Sequence, residues 1–131
     1  MARSYFITGT DTDVGKTHIT CALIRGLQQQ GQKVVALKPI VSGIDAQGQY
    51  PDLQSLTQAC AVTIAEKYQA CYRFEPAIAP HLAAARVGES ITFAALNAWW
   101  HEVQRAHADA DVFVLEGAGG WLLPLGQGRT L

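Results

Sequence analysis

The chain has 131 residues, 49% of them hydrophobic and 16% charged, with a formal net charge of −1 at pH 7. That composition suits one folded domain and excludes low complexity, a basic field for tracking nucleic acid and a polybasic membrane patch. No apolar run approaches the ~20 residues that span a bilayer, and the segment after Met1-Ala2-Arg3-Ser4 is too brief for a signal-peptide core, so a cytoplasmic protein with small-molecule partners, no nucleic acid and no membrane is expected.

In chain order, Ser4 to Thr8 reads as a buried strand. Lys16 to about Gln30 reads as a helix whose Ile19, Leu23 and Leu27 recur on one face, with Gly31 as its C-cap. Val34-Val35-Ala36-Leu37 is a second apolar run, stopped at Lys38-Pro39 because proline forces the preceding residue into extended geometry. This gives a βαβ unit. Ile40 to Tyr50, rich in Gly, Ser, Asp and Gln, reads as a loop, and Asp52 opens a short helix through Cys60. Between Ala61 and Val87, Ala65 to Tyr68 has helical character and Cys71 to Phe74 extended character, while Pro76 and Pro80 break any long element. Thr92 to Ala106 is a helix with Phe93, Leu96, Trp100 and Val103 on its apolar face. Val112-Phe113-Val114-Leu115 is the continuous apolar run of a parallel strand covered on both faces, and it ends in Glu116-Gly117. Strands alternating with helices predict a doubly wound parallel α/β sheet as a single domain over 1–131.

Cys21, Cys60 and Cys71 are odd in number and lack C-x-x-C spacing, so they read as buried or incidental thiols rather than disulfides or zinc ligands. His18, His81, His101 and His107 form no metal-binding pair. No transition metal is expected.

Ligands of such sheets bind outside the carboxyl ends of the strands. Three polar segments follow strand ends here: Gly9 to Thr17, Lys38 to Gly43, and Glu116 to Gly120. In the first, Gly15-Lys16-Thr17 opens a helix, where unpaired N–H groups and the positive end of the macrodipole favour a polyphosphate. Gly15 lets the backbone approach, Lys16 places a charge between terminal phosphates, and the Thr17 hydroxyl suits a bridging magnesium ion. The usual G-x-x-x-x-G-K-[ST] spacing requires glycine at position 10; this chain has Thr10, with Gly9 one place earlier. Lys38 reads either as a second cation for the transferring phosphoryl group or as a solvated lysine at a strand end. Ser42 reads as a substrate contact or an ordinary turn residue. Glu116 is aimed from a rigid strand, as acids that hold magnesium are. Asp52 reads equally as a further magnesium ligand or as a helix cap. Gly117, Gly119 and Gly120 clear side chains so that backbone N–H groups can meet a developing anion. Acids at Asp11 and Asp13, beside phosphates, make sense if one of them faces a cationic amine.

With G-T-D-T-D-V-G-K-T at Gly9 to Thr17, K-P-I-V-S-G at Lys38 to Gly43, A-P-H at Ala79 to His81 and E-G-A-G-G-W at Glu116 to Trp121, the chain resembles the dethiobiotin synthetase family. The resemblance implies a P-loop nucleotide-binding α/β domain. It further implies a cyclo-ligase that forms the ureido ring of dethiobiotin from 7,8-diaminononanoate and CO2 or bicarbonate, with ATP as co-substrate and Mg2+. The reaction would pass through a carbamate and a carbamic-phosphoric anhydride. Carried over by position, Lys16 and Lys38 are catalytic. Asp13, Val14, Gly15, Lys16, Thr17, His18, Glu116 and Gly119 hold the nucleotide, and Thr17, Asp52 and Glu116 the magnesium. Thr12, Asp13, Lys38, Ser42, Gly117 and Ala118 line the diamine site. Many members carry glutamate where this chain has Asp13. His81 reads as a catalytic residue or as a structural hydrogen-bond partner. Members of the family also continue past the position of Leu131 with adenine-recognition and substrate-carboxylate segments. The resemblance thus implies a homodimeric enzyme of which these residues are the N-terminal portion, weakly active or inactive alone. The competing readings are a related P-loop amidating ligase and a non-catalytic ATP-binding switch or module.

Overall fold

The computed structural model describes residues 2–7, 13–75 and 91–117. Among them the chain runs β1 (Arg3–Ile7), α1 (Asp13–Gln29), β2 (Val34–Leu37), β3 (Ile40–Ser42), α2 (Pro51–Ala59), α3 (Glu66–Gln69), β4 (Tyr72–Phe74), α4 (Phe93–Ala106) and β5 (Val112–Glu116).

β5 is the middle strand of a parallel sheet ordered β1-β5-β2, with Phe6 and Leu37 both opposite Leu115 and Ile7 opposite Glu116. Side chains alternate along a strand, so Val112, Val114 and Glu116 face one side, and Phe113 and Leu115 the other. Thr17 of α1 meets Glu116 on the first face. Trp100 of α4 meets Phe113 on the second, ring edge to ring face, with centroids 5.1 Å apart. Helices therefore cover both faces, which is the doubly wound α/β arrangement expected from the alternation of elements. Every residue of β2 and β5 is buried, as the unbroken apolar runs required.

β1 departs from expectation. It forms as a strand, but its first four residues are exposed, with Tyr5 at 37% and Phe6 at 43%. The reason is cover: α1, on the face of Tyr5, packs on β5 and β2, and on neither face does a helix among the described residues pack closely on β1. The apolar face of α1 also differs from the predicted one. Lys16, Thr17, Thr20, Cys21 and Ile24 are buried, Leu23 and Leu27 are only partly so, and Ile19 is 63% exposed. Gly31 does end the helix. At φ +82° it lets the Gln32 N–H reach the Leu27 carbonyl (3.2 Å) and its own N–H reach that of Gln28 (2.9 Å), satisfying the last turn.

The expected loop from Ile40 begins instead as a strand. Ile40–Ser42 pairs in parallel with Tyr72–Phe74 as a separate two-stranded sheet, and the Pro39 carbonyl accepts N–H bonds from Cys71 and Tyr72 at 2.8 and 3.0 Å. In α4 the Thr92 hydroxyl caps the Ala95 N–H at 3.1 Å. Its buried residues are Leu96, Trp99 and Val103, while Phe93 is 52% exposed and Trp100 is half-buried. Trp99 replaces Phe93 on the inner face because its indole N–H finds the Lys67 carbonyl at 3.1 Å.

The three cysteines are free thiols, as expected. Burial raises the pKa of each, and takes Cys71 up to about 11. Among the described residues no helix is long and apolar enough to cross a membrane.

Candidate functional site

Among the described residues, the buried polar side chains gather at one edge of the β1-β5-β2 sheet. Lys16 and Thr17 lie in the opening turns of α1 and are 4% and 5% exposed; Lys38 directly follows β2 at 1%, and Glu116 ends β5 at 0%. Each reaches this edge because its strand or helix terminates there. A parallel sheet puts all its strand C-termini on the same side, and the crossover helix begins where β1 ends.

The Thr17 hydroxyl donates to Glu116 Oε1 at 2.7 Å, and Lys38 Nζ donates to the same oxygen at 3.2 Å. Lys38 also reaches the Gly117 carbonyl at 3.4 Å and stands 3.7 Å from Asp52 Oδ2. Glu116 Oε2 is buried and accepts no hydrogen bond from the described residues. Lys16 is held through its backbone, its carbonyl accepting the Thr20 hydroxyl at 2.9 Å.

For two residues the structural reading offered by the sequence does not hold. Lys38 is not a solvated lysine, since its ammonium is inside the cluster. Asp52 is not the cap of α2: Tyr50 occupies that position with Pro51 after it, and the Asp52 carboxylate is turned toward Lys38 instead. Desolvating a carboxylate or an ammonium costs several kcal/mol per ion, and an apolar pair of similar size is often as stable. A buried cluster with one carboxylate oxygen unpaired is therefore poor material for stability alone and good material for binding.

The donor set suits a hard divalent ion. Thr17, Asp52 and Glu116 offer a hydroxyl and two carboxylates, one of which carries the orphaned Oε2. Among the described residues no group of three or more His, Cys, Asp or Glu gathers in one place. Such a set cannot enclose a metal by itself. It fits magnesium, which keeps several waters and is bound through one or two carboxylates plus phosphate oxygens. Between α1 and α2 lies a cleft of about 380 Å³ whose walls include Thr17, His18, Cys21, Arg25, Asp52 and Ser55. His18, exposed on α1, belongs to that wall.

The other residues singled out from the sequence fall as follows. Gly15 lies in α1, exposed, with open space where a Cβ would stand. Gly117 donates its N–H to the Ile7 carbonyl at 2.9 Å, and a Cβ there would lie 3.2 Å from the Phe6 ring, so the strand end leaves little room for a side chain. Ser42 closes β3 half-buried, and no described hydrogen bond joins it to the cluster. Asp13 and Val14 begin α1 by backbone, but their side chains lie outside what is described, as do Gly9, Thr10, Asp11, Thr12, Ala79, His81, Ala118, Gly119, Gly120 and Trp121. Sequence reasoning missed Thr20, whose position one helical turn after Lys16 was a readable signal, and Cys21, whose thiol donates to the Ser55 carbonyl at 3.5 Å and ties α1 to α2.

A family model described as an AAA domain matches residues 3–131. The chain is 39% identical over 125 residues to the ATP-dependent dethiobiotin synthetase BioD of Nitrosospira multiformis, a match covering 95% of this chain and 54% of that protein. It is 40% identical over 126 residues to the protein of the same name from Pseudoalteromonas translucida, covering 94% and 55%. The corresponding protein of Idiomarina loihiensis is 42% identical over 134 residues, covering 98% and 58%. The resemblance read from four short motifs thus extends along nearly the whole chain, which spans about half the length of the curated relatives it matches.

Proposed function

This chain belongs to the AAA domain family, and from that premise we propose that it serves as an ATP-dependent dethiobiotin synthetase, a ligase that closes a ureido ring on 7,8-diaminononanoate with CO2. The observation that carries the reading is the buried Glu116 carboxylate, shared by the Thr17 hydroxyl and the Lys38 ammonium at the edge where α1 begins. The names of the similar proteins supply the substrate class.

In this reading one amine of the diamine adds to CO2 and loses a proton, giving a carbamate. A carbamate oxygen attacks the γ-phosphorus of ATP, and the bond to the β-phosphate oxygen breaks to release ADP. The second amine then attacks the carbonyl carbon of the carbamic-phosphoric anhydride, its proton is lost, and phosphate leaves as the ring closes. Phosphoryl transfer needs positioning and charge neutralisation more than covalent help from the protein. Lys16 and Lys38 hold the phosphoryl and carbamate oxygens. The N–H groups of Asp13 to Thr17 at the start of α1, with Val14, Gly15 and His18, cradle the phosphates. Thr17, Asp52 and Glu116 hold Mg2+, which when bound neutralises charge on the phosphates. Thr12, Asp13, Ser42 and the Gly117, Ala118 and Gly119 backbone orient the diamine. Residues 1–131 act as one P-loop domain within a homodimer, and a cytoplasmic location goes with the use of ATP.

The test is phosphate release from ATP by the purified chain, measured with and without bicarbonate and the diamine. Release that requires both supports the reading. Release that ignores the diamine, or that requires glutamine, replaces it with another ligase or a plain ATPase. Lys16→Ala is expected to lose at least ~100-fold in phosphoryl transfer while its circular dichroism stays unchanged.

A further inference from the structure

We propose that Lys38 is an internal counter-cation: in the free chain its ammonium neutralises the carboxylates of Glu116 and Asp52, and it yields them to a divalent ion only when a triphosphate offers it another anion. Cation and nucleotide then bind as a coupled pair, neither well without the other. This rests on the reading that Glu116 and Asp52 are the carboxylates that take the ion.

The geometry is specific. Lys38 Nζ lies 3.2 Å from Glu116 Oε1 and 3.7 Å from Asp52 Oδ2, with the Gly117 carbonyl at 3.4 Å, and the side chain is 2% exposed. Both carboxylates named for the ion therefore already face a single ammonium. A divalent cation placed between the same two carboxylates would meet that ammonium at close range, where their like charges repel. Glu116, at 0% exposure, cannot turn to solvent for relief.

Charge counting gives the same result. One ammonium against two carboxylates leaves the trio at −1, whereas adding a divalent ion alone brings it to +1, buried. A triphosphate removes that excess and gives Lys38 a new partner. Lysine suits such an exchange, since its ammonium is a compact charge on a flexible four-carbon stem. The backbone need not move: the Lys38 N–H is tied to the Gln69 carbonyl at 2.9 Å. Because coupling between two ligands is reciprocal, the device also makes nucleotide affinity depend on the metal.

The experiment titrates MnCl2 into the purified chain, following free Mn2+ by electron paramagnetic resonance, with and without a non-hydrolysable ATP analogue. Wild type is expected to bind Mn2+ weakly alone. Lys38→Met, matched in length without the charge, should bind it at least ~10-fold more tightly alone, and Lys38→Arg should not. Lys38→Gln gives the same reading should Lys38→Met fail to fold by circular dichroism. In the wild-type chain, the 15N resonance of the Lys38 ammonium should move on adding Mg2+ with the analogue and stay on adding Mg2+ alone. Tight Mn2+ binding by wild type without nucleotide, no gain in folded Lys38→Met, or a resonance that moves with Mg2+ alone overturns the inference and leaves the functional reading standing. Failure of every form to bind Mn2+ even with the analogue overturns both.

Discussion

Strands β1 and β2 flank β5 in the same parallel register, yet they live in different environments. Leu37 and Phe6 both sit opposite Leu115, and the first is 0% exposed while the second is 43% exposed. Val35 and Ser4 both sit opposite Phe113, the first buried and the second exposed. Apolar composition made both runs strands, but burial came from what lies over them. On the face shared by Phe113 and Leu115, α3 packs on β2 beside α4, and no helix among the described residues packs closely on β1. On the opposite face α1 and α2 cover β2 and close over Lys38, one residue past β2, turning a strand-end lysine into a buried member of the site.

Substitutions at matched positions sharpen or break this contrast. The largest effect is expected for Val35→Asp, which buries an unpaired charge at a cost of several kcal/mol against a total stability of about 5–15 kcal/mol; circular dichroism should show no cooperative unfolding transition. Leu37→Ala should lower stability by about 2–5 kcal/mol in urea titrations. Gly31→Ala, at the turn that leads into β2 with φ +82°, should cost about 1–2 kcal/mol because an L side chain is strained there. Phe6→Ala should cost about 1 kcal/mol, since nearly half of the ring is already in water. Ser4→Asp should stay within about 0.5 kcal/mol of wild type. Equal losses for Leu37→Ala and Phe6→Ala would mean that β1 is covered in solution as β2 is.

How much was legible in the sequence follows from the same physics. The β1-α1-β2 unit, the Gly31 cap and β5 were readable because each rests on local chemistry: apolar runs, one glycine in the left-handed region, an acid at a strand end. That Lys16, Lys38 and Glu116 gather at one edge followed from parallel topology alone. The extended character of Cys71 to Phe74 was readable and forms β4, but β3 and its pairing with β4 were not, because three-residue strands separated by α2 and α3 carry no period, and Ile40-Val41 is a short apolar pair in a polar segment. The inner face of α1 was misread because the polar Lys16, Thr17 and Thr20 are buried on it, and hydrophobic periodicity gives weight only to apolar side chains. Asp52 read equally as a helix cap or a magnesium ligand; its carboxylate is drawn to Lys38, a partner 14 residues away that sequence spacing does not reveal.

A crystal structure of the chain with Mg2+ and a non-hydrolysable ATP analogue is the most direct measurement of the site. The expected result has the terminal phosphates against the start of α1 in contact with Lys16, and Mg2+ held by the Thr17 hydroxyl and Glu116, either directly at about 2.1 Å or through one water. A nucleotide seated away from α1, or an ion held by neither Thr17 nor Glu116, would contradict it.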